Sequence, residues 1–165
     1  MENIKKEGFF EKPLLRTRIK SSNVKFLEML FGYFVGPLGA LLASGIFTSF
    51  LNYYWTDVLF KGNVTEEVKS FLFWLPFVST FLIIIGNLVA GQLIEKTKTK
   101  AGKARPWILL SSILLGVACV TMFIAPSDNL VVKMVLSAIS YNLYYAIAYP
   151  LYNTANSTLI PVSTR

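Results

Sequence analysis

Over 165 residues, 54% of them apolar, charged residues make up only 15% and bunch between apolar runs, which excludes a soluble domain with charge spread along its helix faces. The net charge of +7 sits in the segments between those runs, so it is a membrane-topology signal and not the footprint of nucleic-acid binding. A single cysteine, Cys119, and the lack of histidine exclude an intrachain disulfide framework and remove the commonest metal ligand and neutral-pH base.

Residues 1–27 are polar, basic and interrupted, without an apolar core, and read as a cytoplasmic tail rather than a cleavable signal peptide. Its charge suits anionic lipid headgroups, and a solvated tail is the simpler alternative. Four runs follow whose interiors hold no Asp, Glu, Lys or Arg, each reaching the ~20 residues that crossing a bilayer requires. They predict an all-α integral membrane unit over residues 28–165, with helices at about 28–57, 70–94, 106–126 and 133–160.

Helix one carries Pro37 in its interior, which deletes a backbone hydrogen bond that neighbouring protein must compensate. Gly32, Gly36, Gly39 and Ala43 fall on one small-residue face suited to helix packing, and Ser44, Thr48 and Asn52 form a polar line with Tyr33 on the same side. The loop Lys61–Lys69, with Glu66 and Glu67, reads as solvated charge. Helix two offers Thr80 and Asn87 on one face.

Between helices two and three lies a short basic hairpin, from Gly91 through Glu95, Lys96, Lys98, Lys100, Gly102, Lys103 and Arg105 to Pro106 and Trp107. Glu95 ends helix two, where the helix dipole disfavours an anion, and Lys98, Lys103 and Arg105 are the cations within reach to offset it. Such a cluster could clamp helix ends in one state and release them in another; a plain positive anchor is the alternative. Pro106 fits the first turn of helix three, and Trp107 the membrane interface. A tight turn at Pro126-Ser127-Asp128-Asn129 then leads into helix four.

Helix four carries a polar stripe. At about 100° per residue, Tyr141, Tyr145, Tyr149, Tyr152, Asn142, Asn153 and Asn156 share one third of the circumference, with Tyr144 outside it. Seven polar groups do not face lipid, because each unpaired one would cost several kcal/mol there. The stripe faces either a water-filled cavity or other helices. Aromatic faces with amides and hydroxyls are what a sugar site uses, and Asn153, Tyr149, Tyr152, Asn156, Tyr145 and Asn87 are the candidate substrate-binding residues. Of the sixteen Lys and Arg, thirteen fall on the side of the two termini and the hairpin and three on the other, which puts both termini in the cytoplasm.

The order Gly91, Glu95, Thr97, Thr99, Gly102, Lys103, Arg105, Pro106, Trp107 resembles the loop between the second and third helices of the glycoside–pentoside–hexuronide:cation symporters, the melibiose-carrier-like branch of the major facilitator superfamily. Tyr53-Tyr54-Trp55-Thr56-Asp57-Val58 is similar to that family's ending of helix one, and Leu159-Ile160-Pro161 to its close of helix four. The resemblance spans about residues 31–161. It implies a twelve-helix fold in two halves working by alternating access around a midplane site, of which this chain supplies four helices. It also implies a sugar or glycoside substrate, Na+ or H+ as coupling ion, membrane lipid as surroundings, the C-terminal helices of the same transporter as missing partners, and the loop as a gating element. Where family members place acids, this chain has Leu41, Ile83, Asn87 and Asn153, so no side-chain carboxylate within the spans can bind sodium or relay a proton. A uniporter, or a coupling site elsewhere, follows as an alternative.

The function expected is therefore that of a sugar-transporter segment in the cell membrane. The alternatives are a truncated four-helix protein without transport and a small oligomeric carrier or channel. No cofactor is called for, and with no nucleophile–base pair or metal cluster in view an enzyme is not expected.

Overall fold

The computed structural model describes residues 26–62, 64–99, 102–124 and 128–163, with side chains at all of these except 28, 29, 32, 33, 36 and 160–163. The tail through residue 25, Lys100, Pro126, Ser127, Arg165 and the side chains of Tyr33, Ile160 and Pro161 therefore lie outside the description. Four helices make up the described residues, with no strand among them. Helix α1 runs over residues 26–59, α2 is Glu66–Lys96, α3 is Arg105–Met122 and α4 runs over residues 130–163.

Three of these are long and apolar enough to cross a membrane: α2, α3 and the Leu130–Leu159 part of α4. Helix α2 is predominantly apolar, and Phe73, Trp74, Phe77 and Phe81 form a ring-to-ring ladder along an exposed side. So much contiguous exposed apolar surface belongs in lipid. The central part of α1, Gly36–Tyr54, is diluted by Gly, Ser, Thr and Asn, and π-helical segments extend it at both ends, Leu30–Val35 and Trp55–Leu59.

Proline explains two of the three π segments. Pro37 follows Leu30–Val35 by two residues, and Pro150 follows the π segment Leu143–Ala148 of α4 by the same step. Neither proline has an N–H for the carbonyl four residues back, and its ring crowds that carbonyl. The helix widens there to i→i+5 bonding, shown by the Tyr149 N–H donating to the Tyr144 carbonyl. Pro76 is absorbed within the regular helix α2. The third π segment ends α1, closed by Phe60 N–H donating to Trp55 O at 2.9 Å.

Helix α4 approaches both α2 and α3 through the backbone, whereas α1 joins the bundle through large side chains. The core is Phe47, Leu51, Trp55 and Leu59 of α1 against Leu75 of α2, Leu115, Ala118 and Met122 of α3, and Tyr144 and Ala148 of α4. A smaller cluster of Ile94, Ala104 and Ala155, backed by Trp107, Ile108 and Leu159, holds the ends of α2, α3 and α4 together near the hairpin. At the opposite end Tyr54 Oη donates to Phe123 O (2.8 Å) and Lys133 Nζ donates to Leu59 O (3.1 Å), tying α1 to α3 and α4.

The tightest crossing is between α2 and α4. A Cβ built on Gly86 would overlap the Ala146 carbonyl oxygen, so only glycine fits. Ala146 lies four residues before Pro150, within the π segment.

Tyr144, which lies outside the stripe, is 0% exposed and central to the core. One expectation needs correction. The small-residue face of α1 is not a packed seam at Gly39, where an added Cβ would meet nothing within 4 Å, while Ala43 does pack against the core.

Candidate functional site

The π turn divides the helix-four stripe into two environments. In the first, Tyr141 lies 5.8 Å from the Trp55 ring and 4.6 Å from Tyr145, while Tyr144 meets Phe47 edge-on at 4.6 Å and Tyr145 at 4.8 Å. Tyr149 stacks on Tyr144 at 6.0 Å and 23°. These rings form one continuous aromatic wall between α1 and α4, at separations that favour tilted and edge-on pairs. The polar line of α1 faces this wall. Thr48 is the polar neighbour of the Tyr145 hydroxyl, and Ser44 lies beside the Tyr144 hydroxyl without completing a hydrogen bond. Asn52 is exposed on the same helix.

Past the wall the stripe opens. Tyr152 and Asn156 are half-buried and Asn153 is exposed. The Asn153 backbone carbonyl accepts the Ser157 hydroxyl at 2.8 Å, and its side-chain amide makes no hydrogen bond among the described residues. This exposed amide, without a hydrogen bond among the described residues, lies within the apolar span Leu130–Leu159. Asn142, counted in the stripe, instead donates to Ala138 O at 2.9 Å and lines an apolar groove with Leu82, Val89 and Ile147.

On α2, Asn87 is exposed and donates its amide to Ile83 O at 2.8 Å, as Thr80 donates to Pro76 O at 2.9 Å. Asn87 does not line the apolar groove beside Gly86, so it faces another flank of α2. No side-chain bond joins it to the helix-four residues among those described.

The hairpin is built by its own short-range bonds. The Trp107 indole N–H donates to Thr97 Oγ1 (2.8 Å), which itself donates to Leu93 O (2.6 Å), closing the loop onto the last turn of α2. Thr99 Oγ1 donates to Gly102 O at 2.7 Å and Gly102 N–H donates to Thr99 O at 3.0 Å. Gly102 has φ +94°, in the left-handed region where a Cβ would be strained, so glycine is required there. Gly91 sits in α2 with no close neighbour. The clamp expected at Glu95 is not closed: the sole ion pair among the described residues is Lys69–Glu66 at 2.7 Å, and Lys98, Lys103 and Arg105 are not paired with Glu95. No cluster of metal-ligating side chains occurs among the described residues.

Sequence reasoning missed the aromatic wall's attachment to Phe47 and Trp55 and the close pair Gly86–Ala146. The one available signal was Pro150 inside an otherwise unbroken span, which announces a break in the 100° step of α4 but not the partners on α1 and α2.

The family described as MFS/sugar transport protein matches residues 32–165. Among curated proteins the chain is 25% identical over 122 residues to the inner membrane symporter YicJ of Escherichia coli K12, covering 74% of this chain and 25% of that one. It is 29% identical over 93 residues to the putative glycoside/cation symporter YagG of the same organism, covering 56% and 19%. It is 26% identical over 110 residues to a lactose permease of Leuconostoc lactis, covering 65% and 17%. The chain thus spans a quarter or less of the length of these relatives. No solved structure matches it significantly. The match over most of the chain, on a bundle of membrane-crossing helices, means that the chain belongs to the MFS/sugar transport protein family, within which it resembles the glycoside–cation symporters.

Proposed function

We propose that this segment is part of a sugar transporter of the glycoside-symporter type, and that the stretch of α4 after the π turn lines its substrate path. The observation carrying this reading is Asn153, an exposed amide without a hydrogen bond among the described residues, inside a membrane span. Facing hydrocarbon it would cost several kcal/mol, so water, substrate or a further helix faces it. Tyr149, Tyr152 and Asn156 flank it, Tyr145 continues the aromatic wall above, and Asn87, on another flank of α2 with its amide on Ile83 O, is a separate candidate contact. Rings and amides at this spacing suit the C–H faces and hydroxyls of a sugar, and the relatives include a lactose permease and a glycoside/cation symporter.

Alternating access needs a second half to move against, so further helices are partners in transport. Leu41, Ile83, Asn87 and Asn153 at the positions matched to family acids support substrate contact more than coupling to Na+ or H+ through this segment. The distribution of Lys and Arg supports a cell-membrane topology with residues 1–27, the hairpin and Arg165 in the cytoplasm. In that topology the hairpin, with Gly91, Glu95, Lys98, Gly102, Lys103 and Arg105, is the element that gates the cytoplasmic ends of the helices, with Glu95 unpaired in this conformation.

Thiol accessibility tests the site without requiring transport. In a Cys119→Ser background, Asn153→Cys and Asn156→Cys in native membranes are expected to react with a water-soluble thiol reagent, with lactose slowing the reaction. Ile147→Cys, on the exposed apolar side, serves as the lipid-facing reference. Asn153→Cys as inert as Ile147→Cys would remove the path from α4.

A further inference from the structure

Helix α1 is held to the bundle unevenly. At the end opposite the hairpin its inward side chains are buried: Phe47, Leu51, Trp55 and Leu59 are each 4% exposed or less. Toward the hairpin end the same helix presents Phe26, Leu27, Phe31 and Phe34, each 63–70% exposed.

Two side-chain hydrogen bonds fasten the packed end. Lys133 of α4 donates to the Leu59 carbonyl at 3.1 Å, and Tyr54 of α1 donates to the Phe123 carbonyl at 2.8 Å. Both acceptors lie at helix ends, Leu59 closing α1 and Phe123 following α3, where carbonyls lack an intrahelical donor. The Lys133 ammonium also meets the negative end of the α1 dipole. The fastening therefore runs from α4 to α1 and from α1 to α3. Phe123 reinforces it, its ring 4.8 Å from that of Tyr54 and 5.6 Å from that of Phe47.

These bonds count for more between membrane helices than in a soluble core. Lipid tails are as apolar as the side chains they would replace, so burial alone does little to hold one helix to another. Close packing and interhelical hydrogen bonds decide instead. Helices α2 and α4 are locked by packing, backbone against backbone at Gly86 and Ala146. Helix α1 meets its neighbours through side chains that can change rotamer. We infer that the Lys133–Leu59 and Tyr54–Phe123 bonds form a latch, and that α1 is a lever pinned there and free to swing at its hairpin end. Trp55 against Tyr141 and Phe47 against Tyr144 keep the seam between α1 and α4 shut on the latched side. The gap that the swing opens lies at the hairpin ends of the same two helices. The latch does not rest on the sugar-path assignment.

The test measures spin-label distances in the full chain, reconstituted in lipid nanodiscs in a Cys119→Ser background. Val58→Cys with Val131→Cys reports the latched end, and Phe31→Cys with Leu109→Cys reports the hairpin end, all four positions being exposed. The expected result is one narrow distance at the latched end and a broad distribution at the hairpin end. Tyr54→Phe/Lys133→Met is expected to raise the share of long distances at the latched end about tenfold, the equivalent of roughly 1.4 kcal/mol over two bonds. Lys133→Arg keeps a donor and is expected to leave that share close to the parent's. Helix content equal to the parent's, read by circular dichroism, keeps folding out of the comparison. A hairpin end as narrow as the latched end overturns the lever. A latched end still narrow in Tyr54→Phe/Lys133→Met overturns the latch, as do long distances equally frequent in Lys133→Arg.

Discussion

Up to and within the π turn, Tyr141 and Tyr144 of α4 meet Trp55 and Phe47, and Tyr144 is wholly buried; after it, Asn153 carries an amide that nothing in the described residues bonds. Both stretches belong to one helix and hold the same residue types. The difference lies in what faces them. The first stretch meets the large side chains of α1, and the second is left open past the end of that contact. Polar composition alone therefore does not mark a substrate path: tyrosine in a membrane helix can be core.

The sharpest way to break this comparison is at its packed end. Tyr144→Ala removes a wholly buried ring from the centre of the core, in contact with Phe47, Tyr145 and Tyr149. The expected loss is about 3–5 kcal/mol, the usual cost of emptying an aromatic site. It is read as a fall in the thermal unfolding midpoint in detergent, and a loss below about 1 kcal/mol would show that the wall is not structural. Tyr144→Phe keeps the ring and removes a hydroxyl that has no hydrogen bond, so near-neutral stability is expected.

Next in size is Gly86→Ala. The added methyl would overlap the Ala146 carbonyl oxygen, a backbone atom that cannot swing aside, so α2 and α4 must separate. The expected cost is about 1–3 kcal/mol, as for overpacking a dense core. Gly91→Ala, in the same helix with open space around it, is the control and is expected to be neutral. Equal midpoints for the two variants would sink the claim of a close crossing.

These two positions also show how far the sequence can be followed. Hydropathy marks the helices because a span must be apolar over some ~20 residues whatever packs against it. Ends are less legible: α2 begins at Glu66 rather than near Ser70 because charged Glu66 and Glu67 are welcome in its first turn. Helix α4 starts at Leu130 because the Asn129 side chain accepts the Val131 N–H and caps it. The stripe rests on a constant step of about 100° per residue, and that assumption fails at Pro150. Gly86 carries no local signal, since its need for glycine comes from a carbonyl on a helix distant in the chain. Gly102 is legible because the reversal that requires it is local.

Away from the spans, the hairpin supplies an intermediate effect. Thr97→Val removes the acceptor of the Trp107 indole N–H and the donor to Leu93 O in one step. The half-buried indole then loses its partner, at an expected cost of about 1 kcal/mol. Faster amide exchange across residues 97–104, with the core of α4 unchanged, is the measurement; unchanged exchange would show that the loop is held by something else.

The smallest expected effect on stability falls at the open end of the comparison. Asn153→Ala removes an amide that bonds to no described residue, so stability should stay within about 0.5 kcal/mol of the parent. If Asn153 instead anchored a packed polar network, its loss would leave partners unsatisfied and would cost roughly 1–3 kcal/mol. The same unfolding measurement therefore separates the two stretches of α4. Tyr144→Ala and Asn153→Ala lying several kcal/mol apart would establish one helix with a structural half and an available half. Similar midpoints would mean that the second half is packed as tightly as the first, and the substrate path would have to be sought on α1 or α2.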